Sequence, residues 1–510
     1  MEVPGASEIA DEVASGLAGS SDAAVAAKLR RLLANINTLL ANNNTRSGFP
    51  VTRRSVMAML ASHLLGAGKW GGLAAGLGRA LHGMELHGEL HGGSRAVSGH
   101  DSNDAASLMH QVVVGLYQLH VRGMARRGLL NHMHVSKSAG TTLCTLSARN
   151  GCRTRDSTPV GNCIVRGFDD KPRWVSKKEH RKLGLPMDFL AGFVREWPGD
   201  KRSPDLECAA RADALRKRNW TYFANEYYAI EMHPEASAAA LASWPAGAQC
   251  EAPPPGGLPG LCTEFASVLI CREPLERIIS NMQHIVLLYQ EKLMHYQYHR
   301  FYGQMSKVQK YLSSLPLEVW RALAPAVLDN MYIRSLLGEL TYDAPVGSLT
   351  AGHLSVARRH IASVDVLLDL GHTRAADAGV SYGLGWKYGL ADEHQRVLST
   401  EGGGLSSGSR TLRADASASS SASDSDSDRS QQVDSGGCDN GGCRRLNDGP
   451  LQFRLWQSVP PELALANALD VQLYATARAL SLLDAMVFAY VASTGEAVAP
   501  VDTGCGLLNQ

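Results

Sequence analysis

The feature that most constrains this fold is a short apolar run that ends in a small-residue turn containing a lysine. Residues 129–135 read Leu-Leu-Asn-His-Met-His-Val and suit a buried strand, and the next residues suit a turn and a helix start. The N–H groups at a helix start attract anions, and Lys137 adds a positive charge. Three nearby hydroxyls add hydrogen-bond donors: Ser138, Thr141 and Thr142. The segment predicts a site for a phosphate or a sulfate-like group.

This turn differs from the common ATP-binding loop, which reads G-x-x-x-x-G-K-[ST]. Here Lys137 precedes the glycine, and no glycine opens the loop. A polar strand-to-helix turn with a surface lysine has the same pattern, so this segment alone leaves both interpretations open.

A second segment has a related organisation. Residues 266–271 form another apolar run, and Arg272 follows at the predicted strand end, where open α/β sheets bind ligands. Pro274 suits the first turn of a helix, on which Arg277 and Ser280 can share one face. An arginine and a hydroxyl there would hold a second phosphate. The alternative is a helix start in which the neighbouring glutamates pair with the arginines.

Together the two segments resemble the nucleotide-binding signatures of the P-loop-like carbohydrate sulfotransferases. Residues 134–142 are similar to the family's H-x-P-K-[TS]-G-G-[TS]-[TS], and residues 272–280 match R-[DE]-P-x-x-R-x-x-S completely. The first match departs at two positions, because Ser136 replaces the usual proline and Ala139 replaces the first glycine. Since alanine resists positive φ, we expect either an altered loop path or no need for positive φ at Ala139.

The resemblance implies that the sulfuryl donor is 3′-phosphoadenosine 5′-phosphosulfate and that no metal is required. It implies that Lys137 is a catalytic residue that contacts the oxygen bridging the sulfuryl group and the 5′-phosphate. The 3′-phosphate, which distinguishes this donor from ATP, is assigned to Arg272 and Ser280. The 5′-phosphosulfate is assigned to the first loop, at Ser138, Ala139, Gly140, Thr141 and Thr142.

Two weaker segments are similar to the heparan-sulfate and uronyl 2-O-sulfotransferase branch. Residues 329–338 match its N-x-x-x-R-x-L-x-G segment, and residues 467–474 match its N-x-L-D-x-x-[LF]-Y segment. The resemblance runs from about residue 129 to residue 492, with long insertions. It implies a glycan or glycoconjugate acceptor.

The acceptor hydroxyl requires a general base within hydrogen-bond reach. Glu226 is the first candidate because it ends a predicted strand on the ligand side of the sheet. His233 is the second, since an ordinary histidine titrates near neutrality. A helix-capping role for Glu226 and a loop role for His233 remain open. His134 is interpreted as a packed strand residue near the nucleotide.

The order of predicted elements favours an α/β fold. Strands are predicted at residues 129–135, 221–225, 267–271 and 364–370, and helices at 275–296, 301–312 and 317–337 between them. Strands that alternate with helices indicate a mainly parallel sheet with crossover helices. The resemblance implies that this is the P-loop-like three-layer fold.

Composition divides the chain into four regions. Residues 1–127 are rich in Ala, Gly and Leu and are predicted to be helical or partly disordered, and residues 128–399 carry the catalytic pattern. Residues 400–448 are low in complexity and are predicted to be a disordered insertion. Residues 449–510 complete the catalytic domain with a long helix over about 460–492.

Net charge and cysteine content indicate which partners, metal sites and cellular compartment the sequence favours. The 510 residues carry a formal net charge of only +1, so no nucleic-acid partner is expected. The 10 cysteines form no matched C-x-x-C pairs, which disfavours a zinc site. Cys438 and Cys443 lie in a segment too polar for a core and favour a disulfide, and hence an oxidising compartment. Free thiols in a reducing cell are the alternative.

The family is typically found in the Golgi with one N-terminal membrane anchor, so the resemblance implies a Golgi protein. The N-terminal residues lack the basic and apolar regions of a signal peptide, and the apolar residues 55–66 are too few to span a bilayer. Residues 108–121 contain interspersed polar side chains and suit an amphipathic helix. We therefore expect no anchor within this sequence.

Three functions remain open from the sequence. The first is a sulfotransferase with a carbohydrate acceptor. The second is a nucleotide-dependent kinase, in which residues 364–369 supply a metal-binding strand, although the loop order is wrong and the Arg272 segment has no role. The third is a non-catalytic glycan-binding or scaffold protein on the same fold.

Overall fold

A computed structural model describes residues 22–41, 50, 53–57, 60, 100–155, 162–183, 194–195, 207–227, 261–392, 455–456 and 458–509. Three predictions lie outside these ranges: the insertion at residues 400–448, the second candidate base His233, and the Cys438–Cys443 pair.

A four-stranded parallel sheet lies at the centre of the protein. The chain contains β1 (Leu130–Met133), β2 (Val175–Ser176), β3 (Val194–Arg195), β4 (Tyr222–Asn225), β5 (Ala266–Cys271) and β6 (Val366–Asp369). The central sheet has the order β4-β1-β5-β6, and β2 pairs with β3 separately. All residues of the central strands are buried, as expected for a parallel sheet covered on both faces. The four predicted strands are confirmed.

Helices connect and cover the strands, and the protein is a mixed α/β structure. They are α1 (Asp22–Ala41), α2 (His100–Arg127), α3 (Gly140–Arg149), α4 (Lys177–Lys182), α5 (Cys208–Lys217), α6 (Pro274–His295), α7 (Met305–Ser314), α8 (Leu317–Leu323), α9 (Pro325–Leu328), α10 (Met331–Leu336), α11 (Gly338–Tyr342), α12 (Ala351–Ser363), α13 (Thr373–Ala378), α14 (Pro461–Ala466) and α15 (Ala468–Thr494).

The single helix predicted over residues 317–337 is wrong, because the chain forms α8, α9 and α10 there. Pro325 has no N–H to donate and starts α9, while Asn330 has a left-handed backbone, with φ of 50°, that starts α10. The predicted long C-terminal helix is likewise divided at Asn467, between α14 and α15. These breaks turn the chain back toward the sheet.

The N-terminal helices share one apolar core with the C-terminal helix. Side chains of α1 and α2 pack against the end of α15 in a single buried cluster that includes Leu29, Ile36, Val112, Leu116, Tyr117, Val487 and Phe488. A second cluster lies between the sheet, α3 and α13. The described helices before residue 128 therefore lie in the same compact unit as the sheet.

Helix α15 has the length and apolar composition of a membrane-spanning segment, with a mean hydropathy of 1.4 over its most apolar window. Half of that window is buried inside the protein, where α15 packs on β6 and α12. A core helix of a soluble protein has the same properties.

Three disulfides join distant parts of the described chain: Cys144–Cys163, Cys152–Cys505 and Cys208–Cys262. The second of them connects the loop after α3 with a residue 353 positions later. Cys271, at the end of β5, is a buried free thiol.

A buried charge network closes the edge of the sheet where the strands begin. Arg53 and Arg54 are both fully buried and both donate to the carboxylate of Asp484 on α15. On the same edge, Arg127 pairs with Asp365, whose carboxylate also accepts the backbone N–H of Ser267. The predicted site lies at the opposite edge, where the strands end.

Candidate functional site

The two predicted anion-binding segments lie side by side. Strand β1 leads into the Lys137 turn and β5 leads into Arg272, and these strands are hydrogen-bonded neighbours with Met133 opposite Leu269. The guanidinium Nη1 of Arg272 is 3.5 Å from the backbone oxygen of Lys137. The side chain of Arg272 is about one third exposed, at 33 %. One ligand at this edge of the sheet can therefore contact both segments.

A tyrosine that the sequence did not single out connects the two segments. The hydroxyl of Tyr332 lies 2.9 Å from the hydroxyl of Ser138. It also accepts the backbone N–H of Arg272 at 2.8 Å and donates to the carbonyl of the same residue at 2.9 Å. Tyr332 is buried, so these bonds form away from water and fix the spacing of the two loops.

The position of Tyr332 is set by the two weaker sequence segments, which dock on each other. The carboxylate of Asp470 accepts the backbone N–H groups of Tyr332 and Ile333 and so caps the start of α10. The side chain of Asn467 accepts the N–H of Asn330, and the side chain of Asn330 accepts the N–H of Asp470. The contacts between residues 329–338 and 467–474 thus fix the position of Tyr332, which bonds both anion-binding segments.

The Lys137 turn contains two non-glycine residues with positive φ. Lys137 has φ of 66° and Ala139 has φ of 58°, both in the left-handed region. The alternative that Ala139 has no need of positive φ is wrong, because the alanine adopts the left-handed conformation directly before α3. The other alternative, an altered loop path, stays a prediction. Turns with left-handed residues can form anion-binding concavities, although the N–H of Ser138 donates to the carbonyl of Val135 at 3.1 Å here.

Gly140 is required by close packing beneath the turn. A Cβ atom built on Gly140 would lie 1.8 Å from Nε2 of His134. His134 is buried, and burial together with the charge of Lys137 lowers its pKa to about 3, so the imidazole is neutral. This agrees with its interpretation as a packed residue beneath the nucleotide loop.

The charged end of Lys137 lies beside Trp174. Its Nζ is 5.9 Å from the centre of the indole ring, and Trp174 donates its own N–H to Ser136 Oγ at 2.8 Å. Burial lowers the pKa of Lys137 to about 8, and the nearby carboxylate of Glu226 opposes this shift. Lys137 is therefore a desolvated ammonium, and no carboxylate of the described residues forms an ion pair with it.

Glu226 follows β4 at the same edge of the sheet and faces the Lys137 turn. Burial raises the pKa of this carboxyl to about 7, against a hydrogen bond from Ser136 and the charge of Lys137, which both favour ionisation. Oε2 also accepts from Asn162 Nδ2 at 3.2 Å. His134 Nδ1 is 3.5 Å from Oε2, but a neutral imidazole forms no ion pair there. Glu226 is thus a carboxylate of unusually high basicity.

The other predicted ligands are placed less uniformly. Thr141 and Thr142 lie on the first turn of α3, where no side chain caps the helix. Ser280 is partly exposed on α6. The spacing suggested that Arg277 and Ser280 share a helix face, but Arg277 is fully buried and donates to the carbonyl of Val327, whereas Ser280 is partly exposed.

His284 occupies the next turn of α6 after Ser280. Its ring stands edge-on to Trp174, with the ring centres 5.5 Å apart. Burial and the charge of Lys137 lower its pKa to about 3. A neutral histidine therefore lines the side of the site closest to Ser280.

Sequence reasoning assigned no site role to five residues that surround Lys137 and Glu226: Ser136, Asn162, Trp174, His284 and Tyr332. Tyr332 lay within a recognised segment, and a buried tyrosine needs a hydroxyl partner, but the partner depends on tertiary structure. Ser136 was noted only as a departure from proline. No local pattern distinguished the other three.

In the strand proposed to bind metal in a kinase, the carboxylate at the strand end already accepts hydrogen bonds from the protein. The carboxylate of Asp369, at the end of β6, accepts from the hydroxyl of Tyr474 at 2.8 Å and from the N–H of Gly371 at 3.0 Å. Within the described ranges, the grouping of potential metal ligands is Cys208, Cys262 and Glu264, and its two cysteines form a disulfide. Oxidised cysteines are not metal ligands.

Comparison with protein-family models, curated proteins and solved structures finds no match to this chain.

Proposed function

We propose that this protein is a sulfotransferase that moves a sulfuryl group from 3′-phosphoadenosine 5′-phosphosulfate to a hydroxyl of a carbohydrate acceptor, on a P-loop-like fold. The observation that carries the proposal is the pairing of β1 with β5, which brings Lys137 and Arg272 together. Two cationic side chains at adjacent strand ends suit a ligand with phosphates at both ends. The sequence resemblance supplies the donor's identity.

The donor's 5′ end is assigned to the start of α3. The N–H groups of Gly140, Thr141 and Thr142 have no side-chain cap, and the helix dipole favours negative charge there. Arg272 and Ser280 are assigned to the 3′-phosphate. Arg272 Nε lies 3.4 Å from Glu276 Oε2, as the glutamate-pairing alternative expected, but the side chain remains 33 % exposed, and this exposure supports the assignment.

The transfer requires a base for the acceptor and a positive charge for the leaving group. Glu226 takes the proton of the attacking hydroxyl while the acceptor oxygen bonds to sulfur and the bond from sulfur to the 5′-phosphate oxygen breaks. Lys137 stabilises the negative charge that develops on that phosphate oxygen. Burial raises the pKa of Glu226, which suits a proton acceptor. Burial also removes water from Lys137, which strengthens its interaction with a developing negative charge.

Disulfides in the core agree with an oxidising compartment. We therefore also propose a Golgi location, as the resemblance implies.

Ligand binding tests the donor assignment. Thermal shift is measured with adenosine 3′,5′-bisphosphate and, separately, with ATP and Mg²⁺. The proposal expects stabilisation by the bisphosphate without metal, and its loss in Arg272→Ala. Stabilisation by ATP with Mg²⁺ alone would indicate a kinase, and no stabilisation by either ligand would indicate a non-catalytic protein.

Transfer of radiolabelled sulfate to a panel of polysaccharides tests the reaction. Lys137→Ala and Glu226→Gln are expected to lower kcat at least 100-fold, the usual scale for a charge-stabilising group or a general base. Lys387→Ala is the matched control, since Lys387 is an exposed lysine paired with Asp502. Normal transfer by Lys137→Ala would remove this lysine from the mechanism.

A further inference from the structure

Asn162 forms a bridge between the predicted nucleotide loop and the predicted base. Its Oδ1 accepts the hydroxyl of Thr141 at 2.9 Å, and its Nδ2 donates to Oε2 of Glu226 at 3.2 Å. The amide therefore contacts α3, which starts at the anion site, and the carboxylate that follows β4. No family signature discussed above includes Asn162.

The chain on the C-terminal side of Asn162 is held rigidly. Cys163, the next residue, is fully buried and forms a disulfide with Cys144 on α3. Its carbonyl accepts the N–H of Ala224 at 3.0 Å, and Ile164 pairs with the same strand residue. Asn162 is thus fixed both to α3, through the disulfide, and to β4, through backbone pairing.

Among the residues that the structure describes, few partners compete with Asn162 for the carboxylate of Glu226. The charged and titratable groups of this part of the chain near Glu226 are Lys137, whose charge favours the ionised carboxylate, and His134, which is neutral. The backbone N–H of Glu226 donates to the carbonyl of Asp170, whose own carboxylate pairs with Arg211. Within the described ranges, the side-chain donors to Glu226 are Ser136 and Asn162.

We propose that Asn162 is a positioning residue that fixes the carboxylate of Glu226 toward the acceptor hydroxyl, and that the Cys144–Cys163 disulfide holds Asn162 in place. This proposal rests on the proposed role of Glu226 as general base. An N–H donor to Oε2 restrains the carboxylate and favours the ionised form that accepts a proton.

The first test is the pH profile of transfer by Asn162→Ala. Losing one hydrogen bond to a charged group raises the pKa of the base by about one unit. The acidic limb of kcat moves about one unit to higher pH, and kcat at pH 6 falls roughly tenfold, while the Kd for adenosine 3′,5′-bisphosphate stays unchanged. Asn162→Gln, which keeps the amide, should move the acidic limb less than Asn162→Ala does. An unmoved acidic limb would overturn the proposal.

The second test does not depend on activity. The pH dependence of Tm is compared for Asn162→Ala in the natural and the Glu226→Gln backgrounds. Asn162→Ala should displace the pH range over which Tm declines to higher pH. This displacement should occur only when Glu226 is present, because the decline reports ionisation of that carboxyl. A displacement that persists in Glu226→Gln means a general structural effect and contradicts the proposal.

The disulfide is tested by Cys144→Ser/Cys163→Ser, with Cys208→Ser/Cys262→Ser as the matched control. The first double variant is expected to move the acidic limb as Asn162→Ala does, and the control is expected to leave it in place. Identical behaviour of the two would overturn the role of the disulfide. If the natural protein neither binds the bisphosphate nor transfers sulfate, the proposed function fails, and the Tm comparison still decides whether Asn162 acts on Glu226.

Discussion

The hydroxyl oxygens of Ser138 and Tyr332 lie 2.9 Å apart, although the two residues are separated by 194 positions in the chain. The same tyrosine oxygen bonds both backbone polar groups of Arg272. A single buried hydroxyl therefore sets the distance between the two loops assigned to the nucleotide, and its removal is expected to affect both ligand binding and stability.

Tyr332→Phe is expected to weaken binding of adenosine 3′,5′-bisphosphate at least tenfold and to lower the free energy of unfolding by about 1–3 kcal/mol, because buried polar groups lose their partner. Calorimetric titration and chemical denaturation measure these two effects. Tyr289→Phe is the matched control. Tyr289 is equally buried and bonds His180, away from both loops, so it should lose stability without losing affinity. Equal losses of affinity in the two variants would contradict the role given to Tyr332.

Ala139→Gly is expected to stabilise the protein. Ala139 has φ of 58°, and a left-handed alanine costs roughly 1 kcal/mol more than a glycine. The unfolded chain gains entropy in the variant, which offsets part of the benefit, so we expect an increase of about 0.5 kcal/mol or more in the free energy of unfolding. Ala479→Gly, at an exposed position inside α15, should instead lose about 1 kcal/mol. Destabilisation by both substitutions would show that Ala139 is not strained.

Glu226→Gln is expected to stabilise the protein above pH 7. The folded pKa of Glu226 is raised to about 7 from an ordinary value of 4.5, so the unfolded chain loses this proton first as pH rises. Stability is therefore fully present below about pH 4.5, falls between pH 4.5 and 7, and then remains lower, by up to about 3 kcal/mol. The glutamine does not ionise and should remove this decline. Parallel Tm profiles of the two proteins between pH 5 and 8 would show that the carboxyl is not perturbed.

The proposed reaction should have a narrow pH optimum. Glu226 must be ionised and Lys137 protonated, and burial brings their pKa values to about 7 and about 8. We expect a bell-shaped dependence of kcat/KM for the donor, with limbs that belong to the interacting pair. Lys137→Arg should lower the rate and abolish the alkaline limb, since a guanidinium stays protonated. An alkaline limb that persists in this variant would belong to another group.

Much of the sheet and the core of the site was predictable because both depend on local patterns. Apolar runs of strand length predicted β1 and β5, and parallel strands place their carboxyl ends at one edge. Lys137, Arg272 and Glu226 directly follow such strands, so their common edge was inferred from order alone. The spacing of Arg277 and Ser280 gave the helix period but not the direction of the core, and Arg277 proved to be buried.

The features of the site that the sequence did not predict depend on contacts between residues far apart in the chain. Asp470 caps a helix 137 positions earlier through Ile333, and no local signal reports that pairing. Asn162 reaches Glu226 because of a disulfide and a backbone pairing that arise only in the folded chain. The conformation of Ala139 also depends on context, because alanine alone favours negative φ.

The bridge between Cys152 and Cys505 affects how the protein is made. Its cysteines are 353 residues apart, so at about 5–20 residues per second the ribosome needs roughly 20–70 s to supply the second one. Cys163 follows Cys144 by only 19 residues and can pair within seconds. The growing chain therefore passes through a period in which Cys152 lacks its partner while the Cys144–Cys163 bond can already form, and any bond that Cys152 makes in that time must be exchanged after Cys505 has been synthesised.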